Sequence, residues 1–74
     1  MIKNKIRIND VENMKKFIKY CTKVHEPGVN VYRGNLAVDG SSVIAMMALV
    51  GTEFTVEYPE TAHGFNEFLS PFKK

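Results

Sequence analysis

The chain has no tryptophan and a single cysteine, Cys21, among its 74 residues. One thiol cannot close an internal disulfide, and such sparing use of cysteine fits a reducing compartment. Long apolar runs are also missing. The longest, Val43-Ile44-Ala45-Met46-Met47-Ala48-Leu49-Val50, is eight residues, far below the roughly 20 that a membrane helix needs. The N-terminus, Met1-Ile2-Lys3-Asn4-Lys5, lacks the apolar core of a signal peptide. The expected location is the cytoplasm, without membrane association. An excess of one charge sign is absent too. Lys and Arg number 10 against 8 Asp and Glu, a net charge of +2, and no dense basic run argues for direct nucleic-acid binding. There is no Gly-rich phosphate loop, no CxxC pair and no Ser-His-Asp order. Cys21 and His25 are two ligands where a structural zinc needs four. No metal, cofactor or enzymatic activity is expected.

What is present is one small domain, residues 1–74. A chain of this length buries only about 60% of its unfolded surface, so its core is thin. Apolar and charged fractions of 45% and 24% are those of an ordinary globular protein.

Ile2, Ile6 and Ile8 share one parity, while Lys3, Lys5 and Arg7 share the other, which predicts a strand with an apolar and a basic face. Asn9 is a good N-cap with Glu12 three residues on, and the spacing of Val11, Met14, Phe17, Ile18 and Cys21 predicts a helix over about 10–22. Pro27-Gly28 reads as a turn. Val29–Tyr32 alternates as a second strand, Gly34-Asn35 suits a type II′ hairpin turn, and Leu36-Ala37-Val38 is a short third strand. A fourth strand alternates Phe54, Val56 and Tyr58 with Glu53, Thr55 and Glu57. Thr61 can cap a last helix carrying Ala62, Phe65, Phe68, Leu69 and Phe72, weakened by Gly64 inside it and Pro71 near its end.

The run 43–50 is the unusual piece. A buried strand has the same pattern, but Ala, Met and Leu are strong helix formers, Ser41 or Ser42 can cap the start, and Gly51 suits the end. A helix apolar on every side can bury only one face on so small a domain. The other face is then an exposed apolar patch, and such patches bind partners.

The order is β-α-β-β-α-β-α, with one polar parity in each strand. That predicts a two-layer α+β sandwich, its four-stranded sheet covered by helices on one face only. A ferredoxin-like fold shares the order without the last helix. The stripe Lys3, Lys5, Arg7 lies on the open sheet face, but only Tyr32 offers a stacking aromatic there, so it reads as a solvated face rather than an RNA platform.

The stretch Asn35-Leu36-Ala37-Val38-Asp39-Gly40-Ser41-Ser42-Val43-Ile44-Ala45-Met46-Met47-Ala48-Leu49 resembles the HPr family, the small phosphocarriers of the bacterial sugar phosphotransferase system. In that family a strand leads into a basic residue and a serine, then an apolar, Met-rich helix ending near Leu-Gly. Met14-Lys15-Lys16-Phe17-Ile18 is similar to the family's first helix. The resemblance implies the open-faced β-sandwich of HPr type. A working carrier has a histidine at the start of that helix, followed two residues later by arginine. The aligned positions here are Asp10 and Glu12, and neither His25 nor His63 falls there. Two carboxylates at the positive end of a helix repel an incoming phosphate dianion, so Asp10 and Glu12 are degenerate acceptor and phosphate-holding positions.

Ser42 aligns with the serine that a dedicated kinase phosphorylates in Gram-positive members. Some HPr-like proteins keep this serine without the histidine and act in catabolite regulation by docking on a transcriptional repressor. By the same resemblance Val43, Ile44 and Met47 match the docking positions, while Met46 and Leu49 face the core. The expected role is a regulatory or adaptor protein without phosphohistidine chemistry. Its expected partner is a protein: a phosphotransferase-system component, a serine kinase or a transcriptional regulator. The alternatives are an active carrier with an atypical acceptor, and a structural domain that self-associates as a weak homodimer. Ser42 as a plain helix cap is the bland reading.

Overall fold

Alternation at the N-terminus builds β1 (Ile2–Arg7). Ile6 and, just beyond the strand, Ile8 are buried, while Lys3, Lys5 and Arg7 face solvent. The computed structural model of the chain describes residues 1–24, 28–62 and 64–73. Among these, α1 (Val11–Thr22) buries Met14, Phe17, Ile18 and Cys21 of the stripe its spacing predicts, while Val11 at its first turn is 48% exposed. The hairpin of β2 (Asn30–Arg33) and β3 (Leu36–Asp39) turns at Gly34, whose φ is 60°. Asn35 has no positive φ, so the turn follows the II′ pattern and not I′, which needs two positive values. Then come α2 (Val43–Met47), β4 (Glu53–Tyr58), α3 (Phe65–Leu69) and a 3₁₀ turn, Ser70–Phe72.

The sheet order is β1-β4-β2-β3 and every pair is antiparallel. A ferredoxin-like sheet would put β1 and β3 side by side in its centre; here they are the edges, which excludes that alternative. The register sets Ile6 opposite Phe54 and Val31 opposite Val56, so one face collects the apolar parity. The other face is polar and carries two cross-strand ion pairs, Lys3–Glu57 at 3.6 Å and Lys5–Glu53 at 3.7 Å. Phe17 meets Phe54 edge-on at 6.0 Å and Phe65 at 5.8 Å, closing the core between the helices and the sheet. The two-layer α+β open sandwich expected from the strand parities is the architecture of the chain.

Three local expectations differ. The cap of α1 is Asp10, not Asn9, because Asp10 reaches the Asn13 N–H. The second helix ends at Met47 rather than at residue 50. After Met47 the bonds shorten to i→i−3, with Leu49 N–H donating to Met46 at 3.0 Å and Val50 N–H to Met47 at 3.4 Å. Gly51 then leaves the helix altogether: its φ is 84° and its N–H donates to the Ile8 carbonyl at 2.8 Å. The last helix does not start from a Thr61 cap. Ala62 N–H closes a turn onto the Pro59 carbonyl at 3.0 Å, and Gly64, with a φ of 82°, stands at the N-cap instead of inside the helix. Its left-handed backbone is the conformation glycine adopts at least cost. Pro27 of the expected turn, His25 and His63 lie outside the described residues.

Candidate functional site

The start of α1 is occupied by the chain's own carboxylate. Asp10 has extended backbone angles (φ −129°, ψ 152°) and accepts the Asn13 backbone N–H on Oδ2 at 3.0 Å. Its Oδ1 accepts the Asn13 side-chain amide at 2.8 Å. The backbone N–H of Asn13, then its side-chain amide, hold the Asp10 carboxyl below its ordinary value, so it is ionised at neutral pH. Glu12 follows in the exposed first turn, 3.8 Å from Lys15 Nζ. Anionic side chains therefore already complement the positive end of this helix. A phosphate placed there would have to displace the Asp10 carboxylate from Asn13 and stand beside Glu12.

The start of α2 is built differently. Asp39 Oδ1 accepts both the Ser41 N–H at 2.8 Å and the Ser41 hydroxyl at 2.7 Å. The Ser41 hydroxyl, then its N–H, hold the Asp39 carboxyl below its usual range. Ser42 occupies the N-cap, donating its N–H to the Asp39 carbonyl at 3.0 Å and accepting Met46 N–H on its own carbonyl at 2.9 Å. Its hydroxyl makes no capping hydrogen bond. The expectation that a serine side chain caps this helix is not met, because the Asp39–Ser41 turn already fixes the entry of the chain.

Beyond Ser42 the apolar residues divide between core and surface, with Met47, expected on the outer face, partly packed against the core. Met46 is 0% exposed and Leu49 5%, packed into the core, whereas Val43 is 54% and Ile44 88% exposed. Met47, three residues from Ile44 and thus on the same face, is half-buried. The Gly51–Ile8 hydrogen bond places the end of this segment beside the entry to α1. Val43, Ile44 and Met47 form one surface, and Asp10 with Glu12 form another at the neighbouring helix start.

Cys21 belongs to neither. It is buried, and burial followed by the nearby Asp39 charge pushes its thiol up to about 12, away from thiolate chemistry. Among the described residues no three His, Cys, Asp or Glu side chains are grouped to hold a metal ion. No described helix is long and apolar enough to cross a membrane.

Sequence reasoning missed a groove between α1 and the C-terminal segment. Tyr20, Phe68 and Phe72 line it, with Lys16, Lys19 and Lys23 along one side, and its volume is about 530 Å³. On the sequence these lysines lie only on faces of α1 away from its apolar stripe. The available signal was Tyr20, an aromatic outside the buried stripe of α1 and flanked by lysines.

No protein-family model matches the chain, and no curated protein matches it. In fold it is similar to a solved phosphocarrier protein HPr from Bacillus anthracis str. Ames. The TM-score is 0.61 over 96% of this chain and 95% of that one, at 11% sequence identity. Identity that low speaks for the fold alone, and the fold is the HPr type that the stretch 35–49 implied.

Proposed function

We propose that this chain is an HPr-like regulatory or adaptor protein that does not carry phosphohistidine and docks on a protein partner through Val43, Ile44 and Met47. The observation that carries the reading is Ile44, 88% exposed on a helix whose neighbour Met46 is 0% exposed. Leaving Ile44 in water forgoes burial worth about 1.5–3 kcal/mol, which a partner covering it would recover. Met47 beside it supplies an adaptable, polarisable edge. The solved neighbour is a phosphocarrier, and the reading places this protein among phosphotransferase-related proteins as a partner of other proteins. The phosphocarrier role itself is disfavoured by Asp10, whose carboxylate is spent on Asn13.

Ser42 is the control point of this reading. Its hydroxyl is not used as a cap, and no side chain caps the first turn of α2, so a phosphoryl group has backbone N–H groups to receive it. Phosphorylation would add about −1.5 to −2 charges at the edge of the apolar face. Ser41 stands where the family has a basic residue, and the Asp39 carboxylate it holds opposes the new charge.

Partner capture should be lost in Ile44→Asp and in Met47→Asp, with the fold of Ile44→Asp intact by circular dichroism. Unchanged capture by Ile44→Asp would remove this face from consideration. Intact mass after incubation with ATP and an HPr serine kinase tests the control point: one added phosphate is expected, absent in Ser42→Ala. No phosphate on the wild type would leave a constitutive binding domain. Incubation with the phosphotransferase system's phosphodonor enzyme should leave the mass unchanged.

A further inference from the structure

A second surface, independent of α2, lies between α1 and the C-terminal segment. Its floor is aromatic. The Tyr20 ring stacks on Phe68 with centroids 4.7 Å apart, and Phe68 meets Phe72 at 5.6 Å. Tyr20 is 37% exposed, and Phe68 and Phe72 are half-buried, so the floor is partly open to water. One wall is basic. Lys16, Lys19 and Lys23 follow one another along α1 and its C-cap at helical spacing, on one side of the groove. Among the described residues none of the three has a carboxylate within ion-pair distance. Glu67 lines the groove as well and leaves it net positive.

We infer that this groove binds an acidic peptide segment carrying one large apolar side chain. The apolar side chain seats on the Tyr20–Phe68–Phe72 floor, and carboxylates spaced along the segment meet the lysine wall. Charge complementarity selects this occupant. The groove of about 530 Å³ has room for one anchoring side chain and its neighbours. A nucleobase fits less well, because Phe65, Phe68 and the Lys23 ammonium, 5.8 Å from the ring centroid, already engage the Tyr20 ring. A second copy of the chain also fits less well. It brings a like-charged groove, and its Glu12, Glu53, Glu57 and Glu60 are already in ion pairs. The inference does not rest on the α2 reading and can stand or fall separately.

The test uses the whole chain and a fluorescein-labelled dodecapeptide with glutamates at helical spacing around a central phenylalanine. Anisotropy should show saturable binding, and amide shifts should fall on residues 16–23 and 67–72 while sparing 43–47. The peptide with lysines for glutamates, and the peptide with alanine for phenylalanine, should bind weakly. Lys16→Glu with Lys19→Glu should weaken binding by about tenfold or more, with an unchanged melting temperature, and Ile44→Asp should bind like wild type. Absence of saturable binding below about 1 mM, equal binding of the lysine peptide, or shifts confined to 43–47 would overturn the inference. So would tighter binding of oligouridylate at the same amides, or a dimer in sedimentation that the lysine variant dissolves.

Discussion

Two helices of this molecule begin with a small polar residue at the N-cap, and the two starts are opposites. At α1 the cap side chain is fully engaged: both Asp10 oxygens accept hydrogen bonds from Asn13. At α2 the cap side chain is idle, and the turn is held one step earlier by Asp39 and Ser41. The first start is closed by a charge that satisfies the helix end from within the chain. The second is fixed from outside the helix, which leaves its own hydroxyl and apolar surface uncommitted. A helix start is therefore informative about function only when the geometry tells which group does the capping. The same residue class serves stability at one start and is left available at the other.

The contrast can be broken first at the core, where the largest effect lies. If α2 is held down by its buried side and not by its cap, Met46→Ala should cost about 2–5 kcal/mol in urea unfolding. Ile44→Asp, two residues away, should stay within about 0.5 kcal/mol of wild type. Comparable losses would mean that Ile44 is part of the core. Next is Asp10→Ala, which should lower the melting temperature by several degrees, while Asp10→Asn and Asp10→Ser recover most of it, since either can accept the same N–H.

Acid sharpens the comparison further. Asp10 and Asp39 are both held below their ordinary 3.8 in the folded chain. Stability tied to such groups is fully present above the unfolded value and is lost as pH falls through the lower folded one. The urea midpoint should thus decline below about pH 4, less steeply in Asp10→Asn and in Asp39→Asn. Identical acid slopes in all three proteins would show that neither carboxylate is linked to folding. The smallest effect is the most discriminating: Ser42→Ala should change stability by no more than a few tenths of a kcal/mol. A loss of about 1 kcal/mol, the usual cost of removing a working serine cap, would show that the hydroxyl caps after all.

The sheet was legible because period-two alternation needs only nearest neighbours. The parities of Lys3, Lys5 and Arg7 and of Glu53 and Glu57 placed the ion-paired face without any tertiary knowledge. The core stripe of α1 was readable for the same reason at period 3.6; the run 43–50 is apolar on every side and has no such stripe, so the inward Met46 and Leu49 were implied only by the resemblance. Cap assignment was not, because Asn9 and Asp10 are adjacent and equally suited by type; the choice is made by which one reaches Asn13. The end of α2 was hidden because a distant residue decides it: the Ile8 carbonyl takes the Gly51 N–H. Gly64 read as a flaw in a helix until its positive φ placed it in front of one. The lysine-lined groove needs α1 beside the C-terminal segment, which no local window contains.

The sheet order carries one more consequence, for the birth of the molecule. One of its two inner strands, β4, is the last strand of the sheet to be made. β1 pairs along its whole length with β4, from Ile2 opposite Tyr58 to Arg7 opposite Glu53, and β2 pairs on the other side of the same strand. As the chain leaves the ribosome, β1 waits without a neighbour and α1 without a floor until residues 53–58 emerge. Only the β2–β3 hairpin can close earlier. Pairings this distant in sequence make folding slow, and the apolar parity of β1 stays unsheltered until β4 has been made.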